Sequence, residues 1–198
     1  MIDARYHTDP PPESIGAPQR AARLSGSFSV CRTLLGMLAC ALVMVGGCAT
    51  ATFRGGIYDD GVVRYRVGER SAGWQRIEIG DNDLAFHHKE FGTVSINSTC
   101  ANYTDVPEQA LMNHLLFGMR ERVYRTEEMV TLDGRGAWHV VVDAQLDGVP
   151  LVLEVYLIHK DGCVYDLSRI SAPSRFDAGR PDFERFARGF KVLRTTLE

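Results

Sequence analysis

The chain has 198 residues, with 22 Lys and Arg against 25 Asp and Glu, a net charge of −3. The basic residues are scattered and form no run, so the chain carries no electrostatic footprint for nucleic acid or for an anionic lipid surface. A hydrophobic share of 45% is enough for a packed core, and the length suits one domain behind a leader.

Residues 1–29 are polar, contain Pro10-Pro11-Pro12 and show no apolar period. They read as a disordered leader, or as a stretch upstream of the true start, with Val30 standing for an alternative start codon. The apolar run Leu34 to Val45 follows Arg20, Arg23 and Arg32 and is 12 residues long. A spanning helix needs ~20 apolar residues, whereas the apolar core of a secretory signal needs ~7–15. The run ends in Val45-Gly46-Gly47-Cys48: an aliphatic residue, two small ones, then Cys. This pattern resembles the lipobox of bacterial lipoproteins. The resemblance implies that 30–47 is a signal peptide and that Cys48 becomes the lipid-bearing first residue, with acyl chains such as palmitate. Ala49 in place of Asp implies, by the same resemblance, the outer membrane, facing the periplasm. Cleavage would leave 151 residues with 18 basic and 22 acidic side chains, a net charge of −4.

The five cysteines then have separate fates. Cys31 and Cys40 leave with the signal, and Cys48 is the anchor. Cys100 and Cys163 remain in an oxidising compartment, where an even pair favours a disulfide. Two separate buried thiols are the alternative. Neither Cys has the CxxC or Cys-His spacing of a metal site.

Segment 48–56 is small and polar and reads as a tether, with a single α+β domain over 57–198. Short β-type runs follow at 62–67, 74–79, 84–87 and 92–98, bounded by Gly, Asp and Asn. Asp105-Val106-Pro107-Glu108 reads as a capping box, with Asp105 as N-cap and Pro107 in the first turn. Leu111, Met112, Leu115, Leu116 and Met119 continue it as an apolar helical stripe that ends near Gly118.

Asp-Gly recurs at 133–134, 147–148 and 161–162, between runs rich in Val, Leu and Tyr. Each is a hairpin signal, because tight hairpin turns need positive φ, and three such turns join four strands into a meander. A two-residue turn at Asp147-Gly148 sets Trp138 opposite Leu157, Val140 opposite Val155, Val142 opposite Leu153 and Ala144 opposite Leu151, an apolar face throughout. At the next turn a three-residue Lys160-Asp161-Gly162 loop is expected. It pairs Leu157 with Tyr165 and His159 with Cys163, and keeps Asp166 off the core side. A loop then runs to Arg180, and Pro181 opens a short helix carrying Phe183 and Phe186, with Phe190 just beyond.

The resulting fold class is α+β: an antiparallel sheet of N-terminal strands and the four-strand meander, with two helices set against one face. Trp74, the Leu84-Ala85-Phe86 strand, the Gly162-Cys163-Val164-Tyr165-Asp166 hairpin arm and the closing Asp182-Phe183-Glu184-Arg185-Phe186 helix are similar to features of PsbP-like α/β sandwiches. By that resemblance the domain is an accessory or binding protein.

Reactive constellations are missing from the sequence: there is no GxSxG, HExxH or phosphate-binding Gly-rich loop. His87 and His88 are neighbours on one strand and point to opposite faces, and His139 and His159 also face apart. His114 lies on the helix. Cys163 with His159 could form a thiol and its base, but a disulfide or core role fits better. Asp81-Asn82-Asp83 lacks the Gly and distal Glu of an EF-hand loop and reads as a solvated turn. The expectation is therefore a non-enzymatic envelope lipoprotein without cofactor or metal. It would be anchored to the membrane by lipid and bind another envelope protein, and it would not bind nucleic acid. A periplasmic carrier of a lipid or other apolar ligand is the alternative, and a hydrolase with an unfamiliar site is a third.

Overall fold

The computed structural model describes residues 51–80, 82–100 and 106–196, all within the unit Cys48–Glu198. The leader, the signal segment, Cys48, Asp81 and Asp105 lie outside the described residues. Among the described residues eleven strands and two longer helices follow in order: β1 (Thr52–Arg54), β2 (Ile57–Asp59), β3 (Val63–Arg66), β4 (Gln75–Ile77), β5 (Leu84–His88), β6 (Gly92–Thr99), α1 (Glu108–Leu115), β7 (Arg120–Leu132), β8 (Arg135–Leu146), β9 (Val149–Lys160), β10 (Cys163–Ser171), α2 (Phe176–Arg188) and β11 (Lys191–Thr195).

The strands form two antiparallel sheets, where one was expected. The larger has the order β4-β5-β6-β10-β9-β8-β7 and the smaller β1-β2-β3-β11. The expected tether therefore already contains β1, which pairs Phe53 with Tyr58 of β2. All three Asp-Gly pairs are two-residue turns with positive φ at both positions: 46° and 73° at 133–134, 50° and 80° at 147–148, 50° and 77° at 161–162. These are the values of type I′ hairpins, whose twist matches that of the strands they join. The β8–β9 register is the expected one, from Trp138 opposite Leu157 to Ala144 opposite Leu151.

The β9–β10 register differs from expectation by one residue. Cys163 pairs with Lys160, Tyr165 with Ile158 and Leu167 with Tyr156, while Asp166 faces Leu157. The expectation assumed one apolar face for β9, but β9 is buried on both, with Val152 and Ile158 as inaccessible as Val155 and Leu157. The two-residue turn gives Tyr165 and Leu167 to the larger core.

The helices lie on opposite faces of the large sheet, and connectivity explains why. Strand β6 is followed in sequence by β7, three strands beyond its neighbour β10, so α1 carries the chain across one face. Met112 and Leu116 pack there against Val140, Val142, Ala144, Leu151, Leu153 and Val155. Helix α1 begins two residues later than a capping box at Asp105 requires, with Pro107 as N-cap and no side-chain cap bond. At its other end Arg122 bonds the carbonyls of Leu116 (2.5 Å) and Met119 (3.0 Å).

Helix α2 crosses the other face and leads to β11, which completes the small sheet beside β3. It starts five residues before Pro181, which stands inside the helix. The ring is tolerated because Pro181 and Asp177 are both exposed, so the carbonyl left without a donor meets water. Phe176, Phe183 and Phe186 bury one stripe, and the aromatic residues pack as core, as expected. Tyr65 of the small sheet sits 6.0 Å from Tyr165 and 5.7 Å from Phe190, ring to ring. Arg70 lays its guanidinium 3.5 Å over Phe86, within reach of Phe53 and Phe186.

Cys100 and Cys163 form a disulfide, with Cα atoms 4.0 Å apart. It lies just beyond Val164–Thr99, the last β10–β6 rung, and closes a loop with a sequence separation of 63. Chain-entropy reasoning gives such a closure about 4 kcal/mol. Urea unfolding of the Cys100→Ser/Cys163→Ser double variant should accordingly show a loss of about 3–4 kcal/mol, with no further loss on adding reductant. A loss below about 1 kcal/mol would show that the bridge does not restrain the unfolded chain.

Candidate functional site

Alternation along the strands divides the face under α1 into two halves. On β8 and β9 it is apolar and covered by the helix. On β10 and β6 it presents Asp166 and Ser168, and Ser95, Asn97 and Thr99, paired as Asp166–Asn97 and Ser168–Ser95. At the boundary lies a half-open cleft of about 350 Å³, lined by Leu111, His114 and Leu115 of α1, by Leu157, Val164 and Asp166, and by Asn82, Asn97, Ser98 and Thr99.

Asp166 is in mid-strand and not at a strand end. The Asn97 side-chain amide donates to it at 3.0 Å. Burial pushes its carboxyl up to about 6, against the lowering effect of the Asn97 bond, and the charge of Asp83 adds to the rise. Asp83, expected in a solvated turn, is half-buried as well. It accepts hydrogen bonds from Tyr65 (3.1 Å) and Ser98 (2.6 Å), and burial raises it to about 6 as well.

A second polar group lies on the opposite face. Glu154, Arg169 and His139 are all buried. Glu154 accepts from Arg169 at 3.3 Å and meets His139 Nε2 at 3.1 Å, while His139 Nδ1 faces the more exposed Glu128 at 3.2 Å. His139 stacks on Tyr156 with ring centroids 4.3 Å apart. Burial pulls the imidazole down, but the bonds to Glu154 and Glu128 outweigh it and leave the pKa raised. Arg169 also donates to the Phe176 carbonyl at 3.0 Å, which fastens the first turn of α2 to the sheet. Gly179 makes room for this contact, since a Cβ there would lie 2.5 Å from Arg169 Nη1. The group is a structural clamp between helix and sheet.

Among the described residues the histidines do not converge. His87 bonds Thr93 and His88 stacks on Phe91. His114 borders the cleft, and His139 and His159 face apart, as expected. Cys163 is in the disulfide and so cannot serve as a thiol nucleophile. Among the described residues no group of three or more His, Cys, Asp or Glu could hold a metal ion, and no helix is long and apolar enough to cross a membrane. Sequence reasoning placed Asp166, Asp83 and His114 individually, but missed the cleft that joins Asp166 and His114.

No protein-family model and no curated protein matches the chain. The chain is similar to several solved structures. LpqN of Mycobacterium tuberculosis, involved in cell envelope biogenesis, is 12% identical with a TM-score of 0.50, over 73% of this chain and 90% of that one. A Pseudomonas aeruginosa protein of unknown function is 14% identical with a TM-score of 0.47, over 74% and 98%. The PsbP protein of the cyanobacterium Synechocystis is 16% identical with a TM-score of 0.45, over 76% and 96%. At these identities the likeness is one of fold, an α+β arrangement of antiparallel sheets and two helices.

The ionisable groups on the two faces lead to two predictions. Asp166 and Asp83 hold protons more tightly folded than unfolded, so the native state binds more protons between about pH 4 and 6 and stability falls as pH rises through 6. His139, raised by its carboxylates, acts with the same sign. Asp182, lowered in spite of burial by bonds from Ser71 and Trp74, opposes them only on the acid side of the ordinary carboxylate range. Urea titrations should show unfolding free energy rising by about 1 kcal/mol per carboxylate from pH 7.5 to 5. Asp166→Asn should remove about half of the rise, and an unchanged slope would contradict the half-buried acid. In the clamp, Glu154→Ala should cost about 3–5 kcal/mol, whereas Glu154→Leu with Arg169→Met should recover most of it. Equal losses would mean that the charges themselves stabilise the fold.

Proposed function

We propose that the protein is a non-enzymatic binding domain, held in the bacterial envelope by lipid on Cys48 and engaging its ligand or partner through the cleft beneath α1. The observation that carries this reading is the cleft itself: a half-open space with apolar residues on one wall and a half-buried carboxylate on the other. A lipid carrier needs an enclosed apolar cavity, whereas the space between α1 and strands β8 and β9 is filled by side chains. Beyond the end of α1, Phe117 stands 85% exposed and offers an aromatic contact beside the cleft-bearing helix. The fold is one that an envelope-biogenesis protein also uses.

Palmitate labelling and fractionation test the anchor. Wild type should carry label in the membrane fraction, and Cys48→Ser should carry none and become soluble. Equal labelling of both would remove the anchor from the reading. A photo-crosslinking residue placed at Phe117 should give a discrete adduct in intact cells, and the same group at Arg188, on α2, should not. Adducts from Arg188 alone would move the binding face away from α1. A hydrolytic activity abolished by Asp166→Asn would sink the non-enzymatic reading.

A further inference from the structure

The cleft holds an acid without a counter-ion. Among the described residues Asp166 forms no ion pair, and its one side-chain hydrogen bond comes from Asn97. The titratable groups that act on it are Asp83, of like sign, and His114 on α1. Leu111, Leu115, Leu157 and Val164 form the apolar wall. We propose that the cleft binds a primary ammonium on a short alkyl chain, with the cation on Asp166 and the chain against those four side chains. This inference rests on the binding-domain reading above and specifies its ligand.

The chemistry excludes the other ligand classes in turn. An anion meets Asp166 with like charge. A purely apolar body would strip water from the carboxyl and return no hydrogen bond, which is costly for a buried polar group. A guanidinium prefers both oxygens of a carboxylate, but the Asn97 amide already holds one. An ammonium is a compact charge with three donors, and Asp166, the Asn97 carbonyl and Thr99 supply acceptors in the cleft. The volume, at the lower end for ligand sites, suits a small chain. Such a cation favours the ionised carboxylate, whose formation burial opposes. Binding should therefore weaken as pH falls through about 6.

Two sources supply this chemistry, a free alkylamine and a lysine side chain of a partner. The test follows backbone amide shifts of the purified protein in detergent, titrated with n-pentylamine, with n-pentanol as its neutral counterpart, and with a blocked lysine peptide. Pentylamine or the peptide should shift Thr99, Leu115 and Asp166 at pH 7.5, bind about tenfold more weakly at pH 5, and bind at least about tenfold more weakly to Asp166→Asn. Pentylamine alone would identify a small amine, and the peptide alone a protein side chain. Pentanol binding as well as pentylamine in wild type, a result that needs no variant to fold, would overturn the proposal and leave the cleft as an apolar site. Undiminished binding to Asp166→Asn would overturn it too. Silence from all three probes would also overturn it, while the crosslinking pattern from Phe117 decides the parent reading separately.

Discussion

One two-residue turn, Asp161-Gly162, decides what each side of the large sheet is made of. Side chains alternate along β10, so its register against β9 sends Cys163, Tyr165, Leu167 and Arg169 to one face and Val164, Asp166 and Ser168 to the other. A slip of one residue would exchange these sets. The first set supplies the aromatic core with Tyr65 and Phe190 and the arginine that fastens α2. The second supplies the acid and the polar floor of the cleft. The disulfide depends on the same register, because it sets Cys163 one step beyond the rung that pairs Val164 with Thr99.

The two faces meet their polar groups in different ways. On the α2 side Arg169 and Glu154 are fully enclosed and paired with each other, and Arg169 Nη2 also reaches a carbonyl, although its Nε and Nη1 have no partner among the described residues. Breaking such a pair is far costlier than replacing it whole, so its value lies in fixing where the first turn of α2 sits. On the α1 side Asp166 is answered only by an amide. Helix α1 covers the apolar strands and stops where the polar ones begin, and the cleft is the edge of that coverage.

Much of this was legible in the sequence. The β8–β9 register followed from strict alternation on both arms of Asp147-Gly148, where only one pairing leaves a face apolar. The same reasoning failed one hairpin later because β9 is buried on both faces, so apolar matching alone no longer selects a register. Pro181 pointed to a helix start, but the buried Phe176 and Gly179 lie upstream of it, and packing of that stripe outweighs one missing backbone bond. Strands β1, β2 and β11 have three to five residues; β1 lies within the segment read as a tether and β11 beyond the closing helix. The polar floor is the alternation of Thr93, Ser95, Asn97 and Thr99 with Val94 and Ile96, in and just past the run read only as a strand over 92–98. What the sequence withheld was the partner of that stripe, which depended on the misread turn.

The placement of Asp166 bears on function through its cost. An aspartate opposite Leu157, raised by burial and, among the described residues, unpaired by any cation, makes the folded domain less stable at neutral pH than a neutral residue would. Stability alone would place an apolar side chain there, continuous with Leu157 and Val164. Local choices that oppose the fold tend to sit where function needs them. Here the opposing choice stands at the one boundary on this face where α1 leaves the sheet open. A ligand that brings a positive charge converts that cost into binding energy, and the cleft is positioned to admit one.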